Sequence, residues 1–120
     1  MDSETTLDQL KARVALFRDA RNWKQFHNPK DLAASISIEA NELLELFQWK
    51  TPEEVDALLR DARKREDVQD ELADIVVYCL SAADQMGIDL SDAIAAKLKK
   101  NEEKYPVDKS FGNNKKYTEL

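Results

Sequence analysis

Residues 66–87 read EDVQDELADIVVYCLSAADQMG, and this stretch decides the fold class. Glu66 to Met86 reads as one long helix, and Gly87 is placed to end it in the left-handed backbone conformation that glycine adopts without strain. The centre of the segment, Ile75 to Leu80, is apolar almost all round. Such a helix is ordinarily buried on most faces, against its own chain or a second copy. Glu71 and Asp74 lie one turn earlier, in line with Tyr78. Acids bordering buried surface are costly unless they are paired or hold a cation.

The remaining segments read the same way. Leu7, Leu10, Val14 and Phe17 recur at helical spacing, predicting a first helix over about Thr6 to Asn22. Trp23 to Asn28 reads as a loop. Asn28 then caps a second helix with Pro29 in its first turn, running to about Trp49. Thr51-Pro52-Glu53-Glu54 gives a cap, a proline at the first position and acids in the first turn of a short helix that ends near Arg60. A last helix starts near Asp89 or Ser91 and stops by Tyr105, before Pro106. No stretch sustains apolar–polar alternation. The expectation is an all-α, four-helix-bundle-like fold with one extra short helix, with residues 1–106 as the helical domain and 107–120 as an extended C-terminal tail.

Composition narrows the class. Two glycines and three prolines in 120 residues exclude collagen-like, low-complexity and turn-rich all-β chains. The single cysteine, Cys79, excludes a disulfide framework and a Cys-based zinc site, and points to a reduced, cytoplasmic setting. No apolar run approaches the about 20 residues of a membrane span, so no membrane partner is expected. A net charge of −6 argues against duplex nucleic acid as a partner, because phosphate contacts need clustered Lys and Arg. The weak basic cluster of Lys97, Lys99, Lys100 and Lys104 suits a small phosphate ligand.

Two segments carry acids three residues apart: Glu39 with Glu42 on the second helix, and Glu71 with Asp74 on the long one. Residues at i,i+3 share one side of a helix, so each pair aims two carboxylates at one point. Relative to the apolar stripe Leu32, Ile36, Ala40, Leu43 and Phe47, Glu39 falls at roughly 60°, Glu42 at roughly 120° and Glu45 at roughly 180°. Four carboxylates without adjacent His or Cys favour a hard cation, Mg²⁺ or Mn²⁺, and suit more than one ion. A di-iron bundle needs Glu-x-x-His on two helices, and His27, the one histidine, stands in a loop.

Four stretches together resemble the MazG-like all-α nucleoside triphosphate pyrophosphohydrolases, closest to their dCTP pyrophosphatase branch. They are NWKQFH at 22–27, EANELLELFQWK at 39–50, DELADIVVY at 70–78 and NEEKYP at 101–106. The closing KYTEL at 116–120 is similar too, so the resemblance covers nearly the whole chain. It implies Mg²⁺-dependent hydrolysis of dCTP or a related dNTP to the monophosphate and pyrophosphate. It implies Glu39, Glu42, Glu71 and Asp74 as metal ligands and catalytic groups. It makes Trp23, Gln25, Phe26, His27 and Trp49 a base and sugar pocket, partly donated by a neighbouring subunit. Tyr78 would reach the sugar or a phosphate, and Lys97 and Asn101, four apart on the last helix, the phosphates. Many relatives carry two adjacent acids at the start of the first motif, where this chain has Glu39 and Ala40. Relatives are dimers or tetramers, and a homotetramer is expected. The competing readings are a broad house-cleaning pyrophosphohydrolase for modified nucleotides and a non-catalytic helical interaction protein.

Overall fold

The computed structural model describes residues 1–120, and every regular element in it is helical. The helices are α1 (Leu7–Ala20), α2 (Pro29–Phe47), α3 (Pro52–Arg60), α4 (Ala62–Met86), α5 (Leu90–Lys104) and the single turn α6 (Val107–Ser110). Short 3₁₀ turns occupy Lys24–Phe26 and Tyr117–Glu119. The all-α reading stands. No helix is long and apolar enough to cross a membrane.

The caps explain the boundaries. Thr6 closes a capping box with Gln9, and Thr51 does so with Glu54. The Asn28 side chain accepts from the Asp31 amide, with Pro29 in the first turn behind it. Gly87 ends α4 at φ 63°. The long helix starts four residues before the expected Glu66. Asp61 is the reason: its side chain accepts from the Lys64 amide while its backbone closes α3. The solvated Arg63, Lys64 and Arg65 give no apolar periodicity, so the first turn is set by its cap alone. The second helix stops at Phe47 rather than Trp49, because Gln48 leaves the helical conformation with ψ 138°, and Trp49 after it takes a left-handed φ of 65°.

The chain divides into two compact units, Met1–Gly87 and Ile88–Leu120. In the first, α4 is the centrepiece, with α2, α1 and α3 packed on it. Its core is small: Leu32, Leu58, Leu80, Ala82 and Ala83 are the buried apolar residues. Burial all round falls at Leu80–Ala83, one turn later than the Ile75–Leu80 run suggests. Val76 and Val77 keep an open face because the helices of this unit do not enclose that side of α4. In the second unit, read from sequence as a helix and an extended tail, the tail holds α6 and the turn at Tyr117–Glu119. The Tyr117 ring meets Tyr105 edge-on at 6.0 Å and lies 4.8 Å from the Lys104 ammonium.

Arg18 is the exception in the core, a guanidinium only 3% exposed. Its Nε donates to Asp19 at 2.9 Å and its Nη1 to Asp84 at 2.8 Å, tying α1 to the last turn of α4. Its carbonyl accepts from the Trp23 amide at 3.1 Å, so the same residue sets the loop that follows.

Leu32, 1% exposed, is the largest fully enclosed side chain. Leu32→Ala is expected to lower the unfolding free energy by about 2–5 kcal/mol, read from denaturant titration.

Candidate functional site

The packing of α2 on α4 decides what the acids do. Glu39 and Glu42 come from the middle of α2 and Glu71 from the middle of α4. One carboxylate oxygen from each lies within 4.8 Å of the others. Glu39 is half-buried and Glu42 exposed, the order that their angles from the apolar stripe predict, and Glu71 is half-buried on α4. Glu45 is exposed. Asp74 stands outside the tight trio, exposed, but close enough for its charge to act on both Glu39 and Glu71.

The electrostatics are those of a site built for positive charge. Burial of the Glu39 carboxyl, then the approach and charge of Glu42 and the charge of Asp74, push its pKa up to about 7. Glu71 is raised as well, by burial first and then by Glu42. One oxygen of Glu39 and one of Glu71 are buried without a hydrogen-bond partner. None of the chain's ion pairs includes these acids. Converging, unneutralised, water-sheltered carboxylate oxygens fit a hard divalent cation, so this cluster could hold a metal.

Beside the acids is a pocket of about 170 Å³. Glu39 and Asp74 form its acidic rim, and Trp23, His27 and Tyr78 form its wall. The aromatic rings make a continuous line: Phe17 to Trp23 at 5.8 Å, Trp23 to His27 at 6.3 Å and His27 to Tyr78 at 6.5 Å. The Arg21 guanidinium covers the Phe17 ring at 3.7 Å. Five of the expected residues, Trp23, His27, Tyr78, Glu39 and Asp74, therefore meet around one cavity.

Others stand elsewhere. Gln25 bonds within its own loop, its Nε2 donating to the Asn22 carbonyl at 2.9 Å. Phe26 is 62% exposed, and Trp49 is 90% exposed at its left-handed position. Neither lines the pocket. Lys97 and Asn101 lie on α5, within the second unit. The sequence reading missed Arg18 and Ser81, both buried and both in the pocket wall. A signal for Ser81 was present: Glu71, Asp74, Tyr78 and Ser81 follow a 3-4-3 spacing that puts all four on one face of α4.

The model of the MazG-like family matches residues 34–120. The dCTP pyrophosphatase 1 of Bos taurus is 40% identical over 118 residues, spanning 98% of this chain and 70% of that protein. The Homo sapiens protein of the same name is 37% identical over 117 residues, spanning 98% and 69%. The crystal structure of a pyrophosphatase from Archaeoglobus fulgidus superposes with a TM-score of 0.77 at 42% identity, covering 83% of this chain and 92% of that one.

Glu39 ionises near 4.5 in the unfolded chain and near 7 in the fold. The folded state holds the proton more tightly, so this group's contribution falls as pH rises through that window and is level above it. With chelator present, the melting temperature of Glu39→Gln minus that of the wild type is expected to grow between pH 4.5 and 7 and then flatten. Thermal melts across pH read the difference.

Proposed function

The chain belongs to the MazG-like family, and from that premise we propose that it is a Mg²⁺-dependent pyrophosphohydrolase that converts dCTP to dCMP and pyrophosphate. The observation that carries the proposal is the convergence of Glu39, Glu42 and Glu71 beside an aromatic pocket of single-ring size. The relatives' name, dCTP pyrophosphatase 1, points to the same substrate.

In this reading Glu39, Glu42, Glu71 and Asp74 hold Mg²⁺. When bound, the metal supplies neutralisation of the triphosphate's charge and activation of water. The chain's own work is placement, the dominant contribution in phosphoryl chemistry. Trp23 and His27 hold the base against the pocket wall; a flat partner of this kind contributes roughly 1–3 kcal/mol per stacked base. Tyr78 stands on the same face of α4 as Asp74, where its hydroxyl meets the sugar or a phosphate. Trp49, held outward by a strained backbone, is poised to stack on a base bound to a neighbouring subunit. Gln25 and Phe26 complete the loop that carries Trp23. Lys97 and Asn101 supply phosphate contacts. Water adds at the α-phosphorus, the bond to the bridging oxygen breaks, and pyrophosphate leaves.

The assembly proposed is a homotetramer, acting in the cytoplasm. Its support is the apolar groove of about 530 Å³ along α1 and α4, walled by Leu10, Val14, Phe17, Val76, Val77 and Leu80. Residues 1–106 form the catalytic region and 107–120 its tail.

Incubation with dCTP and Mg²⁺, followed by chromatographic separation, is expected to yield dCMP and pyrophosphate. Formation of dCDP and phosphate would place the cleavage at the wrong bond. Glu42→Gln and Asp74→Asn are each expected to reduce kcat by at least about 100-fold, the upper end of the cost of disturbing a group that merely supports a metal ligand. Full activity in either variant would remove that residue from the metal site.

A further inference from the structure

The pocket contains a hydroxyl that the fold leaves unused. Ser81 is 2% exposed, and its Oγ makes no hydrogen bond. A serine inside a helix ordinarily turns its hydroxyl back to the carbonyl four residues earlier. That bond is not made here, and no other group substitutes for it. A buried hydroxyl without a partner destabilises the fold, and such groups are few in native proteins.

Its surroundings indicate what the hydroxyl is for. Ser81 shares the pocket wall with Arg18, Trp23, His27 and Tyr78. His27 brings a second unpartnered atom, its buried Nδ1. The Arg18 guanidinium is fixed in place by Asp19 and Asp84. Flat apolar walls around fixed polar groups suit a planar ring with a hydrogen-bonding edge. The volume of about 170 Å³ compares with the roughly 150 Å³ that takes up one benzene ring, so it suits a single six-membered ring better than a fused pair.

We propose that Ser81 is a specificity-determining residue whose hydroxyl hydrogen-bonds the polar edge of a pyrimidine base seated in this pocket. The proposal rests on the nucleotide-hydrolase reading above and assigns the part of that site that recognises the base. Bound base gives the hydroxyl the partner that the protein withholds. Removing the hydroxyl therefore has opposite effects on the free protein and on its function, which no purely structural role of Ser81 predicts.

The test is Ser81→Ala in the full chain. The ligand-free variant is expected to melt at a higher temperature than the wild type, because the unpartnered group is gone. Its kcat/KM for dCTP is expected to fall about three- to tenfold, the worth of one neutral hydrogen bond, with the loss carried by KM. An unchanged kcat/KM would overturn the proposal. So would a lower melting temperature accompanying the loss, since that is the signature of a hydroxyl bonded within the protein. If the wild type does not turn over dCTP, the hydrolase reading fails on its own account. Titration calorimetry with deoxycytidine then decides about Ser81. A Kd three- to tenfold weaker in Ser81→Ala supports the base contact; an equal Kd, or no binding by the wild type, overturns it.

Discussion

Mutual repulsion among carboxylates sets the terms for the rest of this molecule. Oxygens of Glu39, Glu42 and Glu71 gather within 4.8 Å where α2 crosses α4. Like charges held that close repel one another, and more strongly where solvent is partly excluded. The core beneath is modest, with Leu32, Leu80, Ala82 and Ala83 among its few enclosed residues. The two helices remain packed because part of the charge is removed, by protonation in the metal-free state or by a cation when one is bound. Charge and packing are thus set against each other at this crossing: the acids that weaken the fold are the groups that could hold a metal.

A second charged group works in the opposite direction. Arg18 is enclosed but satisfied, with Asp19 and Asp84 as partners. An enclosed guanidinium is tolerated only when its donors are engaged, and losing one partner leaves an uncompensated charge. The geometry that satisfies it also locates the start of the aromatic loop through the Trp23 amide. The pocket lies between these two centres, one that repels itself and one that is neutralised.

Much of this was legible in the sequence because local rules and global packing agree. The caps at Asn28 and Thr51 and the stop at Gly87 are short-range chemistry, and the structure contains them. The i,i+3 acids were readable because helix geometry alone puts them on one side. Other features were hidden because they depend on contacts between distant segments. Arg18 looks like a surface residue until Asp84, 66 positions later, meets it. Ser81 looks like helix filler until α1 and the Trp23 loop enclose it. The turn of α4 enclosed on every side was misplaced because Ile75–Leu80 looks more hydrophobic than Leu80–Ala83, although small side chains are what allow a helix to be surrounded.

Asp61 carries a further consequence. It closes α3 with its backbone and opens α4 with its side chain, so the two helices share one terminal residue and no slack lies between them. Each residue added at such a joint turns the following helix by about 100° about its axis. The rotational phase of α3 against α4 is thereby locked to chain length. Relatives that keep both helices packed as they are here have little freedom to vary the length of this junction, and the variation between them should accumulate at joints with spare backbone.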